Sequence, residues 1–503
     1  MSNARSPVII LAFGFGLGLL GDALLRADPW GLNAALWAGA FTAGAVLAMR
    51  LCGIRLSGGR TWLLPLVLVF GVSLAWRDSI TLKTLDCLAV GVALTTLVLR
   101  PAVAYIRRAA IADHMCALLD AGAGLFYGAP ALILADIPFE ELAAPSGALG
   151  DTKRIWLRHA SSAAIGIAVA VPLLVVFGAL FSSADAGFRV FIRDLFDIDW
   201  VRLRDHAAVT FFCAWVVAGY LRVLILKQEC PISAPGNSKN LSLNTLALAV
   251  PMASLNGLFL TFLVVQGRYM FGGHELVAAR TGLTYAEYAR QGFFQLVVVA
   301  ALALSVLLAA DWMDREAGPK GRRVFRVQAM VLVVLVYVVL ISAIGRMRLY
   351  QQAYGLTELR VYTMAFMMWL AVVLAWFVAT VLRGHRDRFA FGALAAAMAF
   401  VFGLHVFNPD AYIVRSNIRR ATLQRPFDAA YAATLSADAI PAIVEAFPSP
   451  DNSARNAVLS RAGANTEMTW RTWSWSRHRA RQSLAGLEEG APQAENAVPS
   501  AGR

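Results

Sequence analysis

The sequence predicts an all-α integral membrane protein, a polytopic bundle of transmembrane helices with a small helical C-terminal region. Apolar residues make up 58% of the 503 positions, charged residues only 15%, and the mean hydropathy is +0.60. These values lie outside the range of soluble globular chains. A helix needs about 20 mostly apolar residues to cross roughly 30 Å of hydrocarbon, and the chain contains many such runs.

Apolar runs predict eleven spans. They cover approximately Pro7–Leu25, Leu32–Met49, Trp62–Trp76, Lys83–Leu99, Ala160–Phe181, Ala207–Leu226, Asn244–Gln266, Glu287–Ala310, Val327–Gly345, Val361–Leu382 and Phe389–Phe407. A twelfth candidate, Ala117–Ala135, carries Asp120, Pro130 and several glycines. Either a crossing or a re-entrant or surface segment fits this stretch.

Composition divides the chain into four regions. Residues 1–159 hold four spans and the doubtful segment, and residues 160–407 form a core of seven spans. Residues 408–489 are polar with helical stretches, including tryptophans among arginines in TWRTWSWSRHRARQSLAGL. Residues 490–503 have the polar, low-hydrophobicity composition of a disordered tail.

The net charge of +13, from 45 Lys and Arg against 32 Asp and Glu, is spread over short loops. This distribution indicates contact with anionic lipid headgroups and a positive-inside bias, and it does not favour nucleic acid as a partner. The five cysteines form no CxxC pair, and the seven histidines are dispersed. We therefore expect no disulfide framework, no metal site and no cofactor.

Loops separated by two spans must lie on the same side of the membrane. By this rule residues 182–206, 267–290 and 346–360 share a side with everything after Asn408. The opposite loops include DREAGPKGRRVFR, which is dense in basic residues. The predicted topology is therefore a bacterial inner-membrane protein with a cytoplasmic N-terminus and a periplasmic C-terminal region.

The connection RMRLYQQAYGLTELR, residues 346–360, is rich in arginine and tyrosine. Arg346, Tyr350 and Tyr354 lie one helical turn apart if the preceding helix continues. Together with Arg348 and Arg360 they would suit a lipid headgroup, a phosphate or a carboxylate substrate. The pattern favours the simpler alternative, the belt of aromatic residues and arginines that ends many spans.

Two loops share a Gly-Leu-Thr before a long apolar run. Thr284 and Thr357 are therefore predicted helix N-caps, and Glu287 lies three residues after Thr284, as in a capping box. Leu356 and Val361 have the spacing of a hydrophobic staple. We expect these residues to have a structural role.

Polar groups within spans allow two interpretations. Asn256 and Gln266 share a span with Pro251, and a broken helix of this kind binds substrate in many transporters. Interhelical packing explains the same amides and is favoured. Asp22, Asp86 and Arg222 lie near span ends, where snorkelling accounts for them. Gly14 and Gly18 predict close helix packing.

Residues 182–206 predict a helix that lies in the membrane plane, because apolar and charged residues fall on opposite faces. This segment contains Asp185 and the sequence Asp197-Ile198-Asp199. Asp185 and Asp199 are candidate catalytic carboxylates of a transferase. Solvated acids on an amphipathic helix explain them more simply.

Six ordered blocks resemble the recurrent motifs of a bacterial multi-pass membrane family, catalogued as domain of unknown function 4153 or 4173. The blocks are FGALFSSADAGF, NGLFLTFLVVQGRYMFGG, GLTYAEYARQGFFQL, SAIGRMRLYQQAYGLTELR, NPDAYIVRSNIRRA and LSADAIPA. The resemblance runs from about Ala160 to Phe447. It implies membership of a membrane family and brings no reaction with it.

The favoured function is a non-enzymatic cell-envelope protein, a partner, sensor or scaffold with a polar cluster on the periplasmic face. Its partners would be the lipid bilayer, anionic headgroups and a membrane or periplasmic protein. One alternative is a carrier or flippase for an amphiphilic or anionic substrate. The other is an envelope-modifying transferase, so whether the protein is an enzyme stays open, with the balance toward no.

Overall fold

The computed structural model is helical throughout the residues that it describes, and no strand occurs among them. It describes residues 5–56, 59–99, 106–137, 200–226, 245–271, 293–314, 318–421, 427–447, 456 and 468–489. The α-helices are α1 (Arg5–Leu25), α2 (Leu32–Leu51), α3 (Leu63–Trp76), α4 (Ile80–Leu97), α5 (Ile111–Ala131), α6 (Trp200–Leu226), α7 (Thr245–Phe271), α8 (Phe293–Met313), α9 (Pro319–Tyr354), α10 (Glu358–Thr380), α11 (Phe389–Phe407), α12 (Pro409–Arg420), α13 (Ala429–Ala432), α14 (Ile440–Ala446) and α15 (Trp475–Glu489).

Among the described residues, nine helices are long and apolar enough to cross a membrane. They are α1, α2, α4 and α6 to α11, and a shorter apolar helix covers Arg60–Trp76. These ten match ten of the eleven predicted spans, which confirms a multi-pass helical membrane protein. The predicted span Ala160–Phe181 lies outside the described residues, so the total of eleven stays a prediction. The doubtful segment is helical from Ile111 to Asp136 and does not count among the nine.

The described helices form two compact units. The first takes its residues from 1–72, 91–102 and 115–230, and the second from 73–90, 103–114 and 231–503. In the first unit, α1 packs closely against α6. A Cβ atom added at Gly14 would lie 2.8 Å from Ala218 Cβ, and one at Gly18 would lie 2.7 Å from Ala214 Cβ. The predicted close packing through these two glycines is confirmed.

The charged residues that we expected to snorkel each have a partner elsewhere in the protein. In the first unit, Asp22 Oδ2 lies 2.6 Å from His206 Nδ1, and Arg222 Nε donates to Asp136 Oδ2 at 2.5 Å. In the second unit Asp86 is fully buried. The snorkelling prediction was wrong for Asp86 and Arg222, which are buried and paired through helix packing, and it stays a prediction for Asp22.

Helix α9 forms the centre of the second unit. Its 36 residues correspond to about 54 Å, so it is longer than the hydrocarbon layer and its polar ends extend beyond it. Its buried residues recur every three or four positions and pack against α7, α8 and α10. Val327, Val334 and Ile341, spaced by seven residues, are 54–67% exposed. Lipid contact makes such an apolar surface stable.

We predict that Gly18→Leu lowers the thermal unfolding midpoint of the purified protein in detergent. The added side chain overpacks the contact with α6, at a cost of about 1–3 kcal/mol. Gly16→Leu is the matched control, because a Cβ at Gly16 meets no atom within 4 Å. Equal midpoints for the two variants would contradict the close α1–α6 contact.

Candidate functional site

A buried carboxylate, Asp438, joins segments of the second unit that are far apart in the sequence. It lies in the short helical turn Ala437–Ala439 and is only 4% exposed. Its Oδ1 accepts a hydrogen bond from Arg77 Nη1 at 3.1 Å. Its Oδ2 accepts from the backbone N–H groups of Asp78 at 2.8 Å and Ser79 at 3.3 Å. A buried carboxylate needs such donors, so these bonds hold the turn against the connection between α3 and α4.

A second ion pair fixes the start of α15 to the same connection. Arg477 Nη2 lies 2.7 Å from Asp78 Oδ1, and both side chains are buried. Lys83 Nζ donates to the same oxygen at 2.8 Å. Ser476 Oγ donates to the carbonyl oxygen of Trp76 at 2.9 Å and also contacts the Asp438 carboxylate. We call Arg77, Asp78, Lys83, Asp438 and Arg477 the Asp438 network.

The Asp438 network continues into the span ends through Arg77. Arg77 Nε donates to the carbonyl oxygen of His405 at 2.8 Å. The His405 ring stacks on Trp76, and its Nε2 lies 2.8 Å from Asp86 Oδ1. Both His405 and Asp86 are 0% exposed. The end of α11 is therefore joined to α4 by a polar contact within the apolar bundle.

A second buried carboxylate, Asp410, lies beside the Asp438 network at the start of α12. Its Oδ2 accepts hydrogen bonds from the Ser436 hydroxyl and, at 3.2 Å, from the Ser436 N–H. Burial raises the pKa of Asp410 to about 7; the Ser436 hydrogen bonds partly oppose this shift, and the charges of Glu358 and Asp438 add to it. Asp410 can therefore exchange a proton near neutral pH.

The arginine-rich connection is mostly helical, because α9 continues to Tyr354. The predicted helical stripe is confirmed, with the Tyr350 and Tyr354 rings 5.2 Å apart. The Arg360 guanidinium lies 4.0 Å from the centre of the Tyr350 ring and donates to the carbonyl oxygen of Tyr354 at 3.2 Å. Arg360 thus provides a hydrogen-bond donor to the last carbonyl group of α9. Of the other two arginines, Arg346 is half-buried and Arg348 is exposed.

The two polar amides of α7 are used in helix packing. Asn256 Nδ2 donates to the carbonyl oxygen of Gln328 at 3.1 Å, and Gln266 Nε2 donates to the Ser342 hydroxyl. Both partners belong to α9. These bonds supply the interhelical role that the sequence favoured for these residues, and their assignment to a substrate site stays a prediction.

Thr357 occupies the N-cap position of α10, as predicted, but its side chain makes no capping hydrogen bond. The Glu358 N–H instead donates to the Tyr431 hydroxyl at 2.8 Å. Leu356 and Val361 lie in one buried apolar cluster, in agreement with the predicted staple. Thr284, Glu287, Asp185 and Asp199 lie outside the described residues, so their predicted roles are untested.

Sequence reasoning missed the residues that dominate this site, namely Arg77, Asp410, Asp438 and Arg477. Two signals pointed to them. Arg77 and Asp78 stand in a very short connection between two apolar spans, and Asp410 and Asp438 fall in the blocks NPDAYIVRSNIRRA and LSADAIPA. Their pairing depends on contacts across 361 positions for Arg77 with Asp438 and 399 positions for Arg477 with Asp78, which no local pattern reveals.

The arrangement is suited to holding the C-terminal region in place more than to reaction chemistry. Its two carboxylates accept from arginine, lysine and backbone donors, and among the described residues Arg477 Nε is a buried donor without a hydrogen-bond partner. Within the described residues, no group of three or more His, Cys, Asp or Glu side chains is placed to hold a metal ion. Outside the spans, Asp410 is the carboxyl group whose pKa burial raises to about 7.

One comparison with known proteins gives a match. The model of a family described as "Domain of unknown function (DUF4153)" matches residues 63–446, more than half of the chain. No curated protein and no solved structure matches the sequence.

We predict that Asp438→Asn detaches the C-terminal region. The loss of a buried ion-pair partner costs about 3–5 kcal/mol, because Arg77 is left uncompensated. Limited proteolysis of the protein in native membranes should then cleave residues 427–489 faster. Glu445→Gln is the control, since its ion pair with Arg415 is exposed and contributes little. Equal cleavage rates for the two variants would refute a holding role for Asp438.

We also predict that the contribution of Asp410 to the thermal stability of the protein falls as the pH rises from about 4 to about 7. A carboxyl group whose pKa is higher in the folded state binds more protons there than in the unfolded chain, so deprotonation destabilises the fold up to the folded pKa. Asp410→Asn should remove this part of the pH dependence. The measurement is the unfolding midpoint against pH for both proteins, and parallel curves would contradict the assignment.

Proposed function

We propose, from the premise that this chain belongs to the DUF4153 family, that it is a non-catalytic component of a bacterial inner membrane. Its role is that of a partner, sensor or scaffold, with the C-terminal region serving as the binding platform on the periplasmic face. The observation that carries this proposal is the Asp438 network. It joins a polar helical region to the span ends through buried charges, which supports a presented surface more than a catalytic pocket.

The outer surface of the C-terminal region has the residue types that protein partners contact. Trp470 and Trp475 are exposed, and Arg471 and Arg479 are exposed beside them. Tryptophan and arginine are enriched among the residues that dominate binding energy in protein interfaces. These side chains stand on a region whose underside is fixed by Asp438 and Arg477, so the surface is presented in one orientation.

The alternative functions have less support from the described residues. The carrier hypothesis rested on Pro251, Asn256 and the arginine-rich connection, and Asn256 donates a hydrogen bond to the Gln328 carbonyl oxygen of α9. The transferase hypothesis rested on Asp185 and Asp199, which lie outside the described residues, so it stays untested. We therefore favour the scaffold or sensor function, which the Asp438 network supports.

Cysteine labelling at Gln352 tests on which side of the membrane the end of α9 and the C-terminal region lie. Gln352 is exposed near the end of α9 and would carry a single cysteine in a background whose five native cysteines are replaced. A membrane-impermeant thiol reagent should label it on intact spheroplasts. Labelling only after the membrane is opened would place the platform in the cytoplasm and refute a periplasmic role.

Photo-crosslinking in cells tests the platform itself. A photoreactive amino acid at position 479 should give a discrete set of protein adducts in the otherwise native chain. The adducts should be lost with Asp438→Asn and kept with Glu445→Gln, because only the first change detaches the region. Adducts that persist in a detached Asp438→Asn protein, or adducts with lipid alone, would contradict a protein-binding platform.

A further inference from the structure

An apolar groove opens between α9, α10 and α11 of the second unit. Its volume is about 720 Å³, which is within the range of small-molecule sites. Its walls are mainly methionine, alanine, phenylalanine and leucine side chains, including Met364, Met368, Ala399, Phe400 and Leu404. Met368 is exposed, so the groove is open along the side of the bundle.

The polar residues of the groove lie together at one end. Arg348 and Gln351 come from the last turns of α9, and Tyr412 comes from α12, directly after α11 ends at Phe407. This end of the groove coincides with the ends of three span helices. Arg348 is the one charged residue among the described residues that line the groove.

The apolar part of the groove runs into the depth of the bundle. Lining residues extend from Phe407 back to Ala399 on α11, about 12 Å along the helix, and from Val361 to Met368 on α10, about 10 Å. A ligand that fills it must therefore be apolar over this length and polar or charged at one end. The orientation, with the charged end at the span ends, is that of a membrane lipid.

Charge decides which lipid fits. Within the part of the chain that the structure describes, Arg348 makes no hydrogen bond or ion pair with the protein. No carboxylate lines the groove beside it. A guanidinium presents several donors in a planar fork that matches phosphate oxygens. The groove is complementary to one anionic headgroup above an acyl chain.

We propose that this groove binds an anionic glycerophospholipid, with the acyl chain against α10 and α11 and the headgroup phosphate on Arg348. Gln351 and the Tyr412 hydroxyl supply further hydrogen bonds to the headgroup. This site goes beyond the proposed platform function, because it requires no protein partner. Tyr412 belongs to the C-terminal region, so the lipid touches the spans and that region at once.

Photolabelling in nanodiscs tests the site. The full-length protein is placed in phosphatidylcholine nanodiscs that contain a minor fraction of phosphatidylglycerol with a diazirine on its acyl chain. Mass spectrometry after irradiation should find adducts concentrated on Met364, Met368 and Phe400. The same diazirine on phosphatidylcholine should label these residues more weakly.

Four variants separate charge, shape and folding. Arg348→Gln should lower labelling by phosphatidylglycerol roughly three- to tenfold, as expected for a charge-assisted hydrogen bond at a partly solvated site. Arg348→Lys should retain much of it. Arg323→Gln is the matched control, because Arg323 is also exposed and lies near the other end of α9. Gly403→Leu should reduce labelling by both lipids, since a Cβ at Gly403 meets no atom within 4 Å and the side chain enters the groove.

Three results would overturn the proposal. One is equal labelling by the two lipids with no effect of Arg348→Gln, which would mean ordinary boundary lipid. Another is an equal loss in Arg348→Gln and Arg348→Lys together with a lower unfolding midpoint, which would mean a structural role for Arg348. The third is the absence of adducts on Met364, Met368 and Phe400 with either lipid, which would mean that no acyl chain enters the groove. None of these depends on a protein partner, so the platform function would stand or fall separately.

Discussion

The charge of one buried side chain, Asp438, constrains the second unit of this protein. An ionised carboxylate is costly to bury unless donors replace the lost water. Arg77 and the backbone N–H groups of Asp78 and Ser79 supply those donors, together with the hydroxyl of Ser476. Because they come from both ends of the sequence, the network forms only when α3, α4 and the C-terminal region meet in one arrangement. The network therefore favours one arrangement of these segments over others, in addition to any contribution it makes to the free energy of unfolding.

The contacts around Arg77 extend this constraint into the bundle. Arg77 satisfies the carbonyl oxygen of His405 near the end of α11, where the last carbonyl groups of a helix lack partners within the helix. The ring of the same histidine lies beside Asp86 in α4. Two buried acids, Asp86 and Asp438, are thereby connected through one histidine and one arginine.

The sequence was sufficient to predict the helices and insufficient to predict the site. Hydropathy identifies spans because the membrane imposes length and composition on each helix separately. The site depends on pairs such as Arg77 with Asp438, whose members lie 361 positions apart, and only tertiary packing brings them together. Tertiary contacts also replace local interactions. Thr357 occupies the predicted N-cap position, but the Glu358 N–H donates its hydrogen bond to the hydroxyl of Tyr431. The arginine-rich connection was correctly singled out, but its arginines have separate roles.

Gly355 shows how that connection depends on the C-terminal region. Gly355 comes directly after the last residue of α9 and has a φ of +81°, a backbone conformation that residues with a side chain rarely adopt. A Cβ atom at this position would lie 3.0 Å from Asn417 Oδ1. Asn417 in α12 accepts a hydrogen bond from the Leu356 N–H at 2.7 Å and donates to the Leu356 carbonyl oxygen at 2.9 Å. The connection between α9 and α10 is therefore shaped by a residue of the C-terminal region.

The proposed lipid site and the proposed platform share residues. Leu356 and Val361 line the groove and also belong to the buried cluster under α12 and α14, while Tyr412 of α12 lines the groove directly. A ligand that contacts groups present only when the C-terminal region is docked must bind the docked state more tightly than the detached state. By thermodynamic linkage, docking and lipid binding then strengthen each other by the same factor. Asp410 joins α12 to Ser436 of the C-terminal region, and burial raises its pKa to about 7, so its protonation would act on the same docking equilibrium. Lipid, proton and partner binding would thus meet at one structural element, the start of α12.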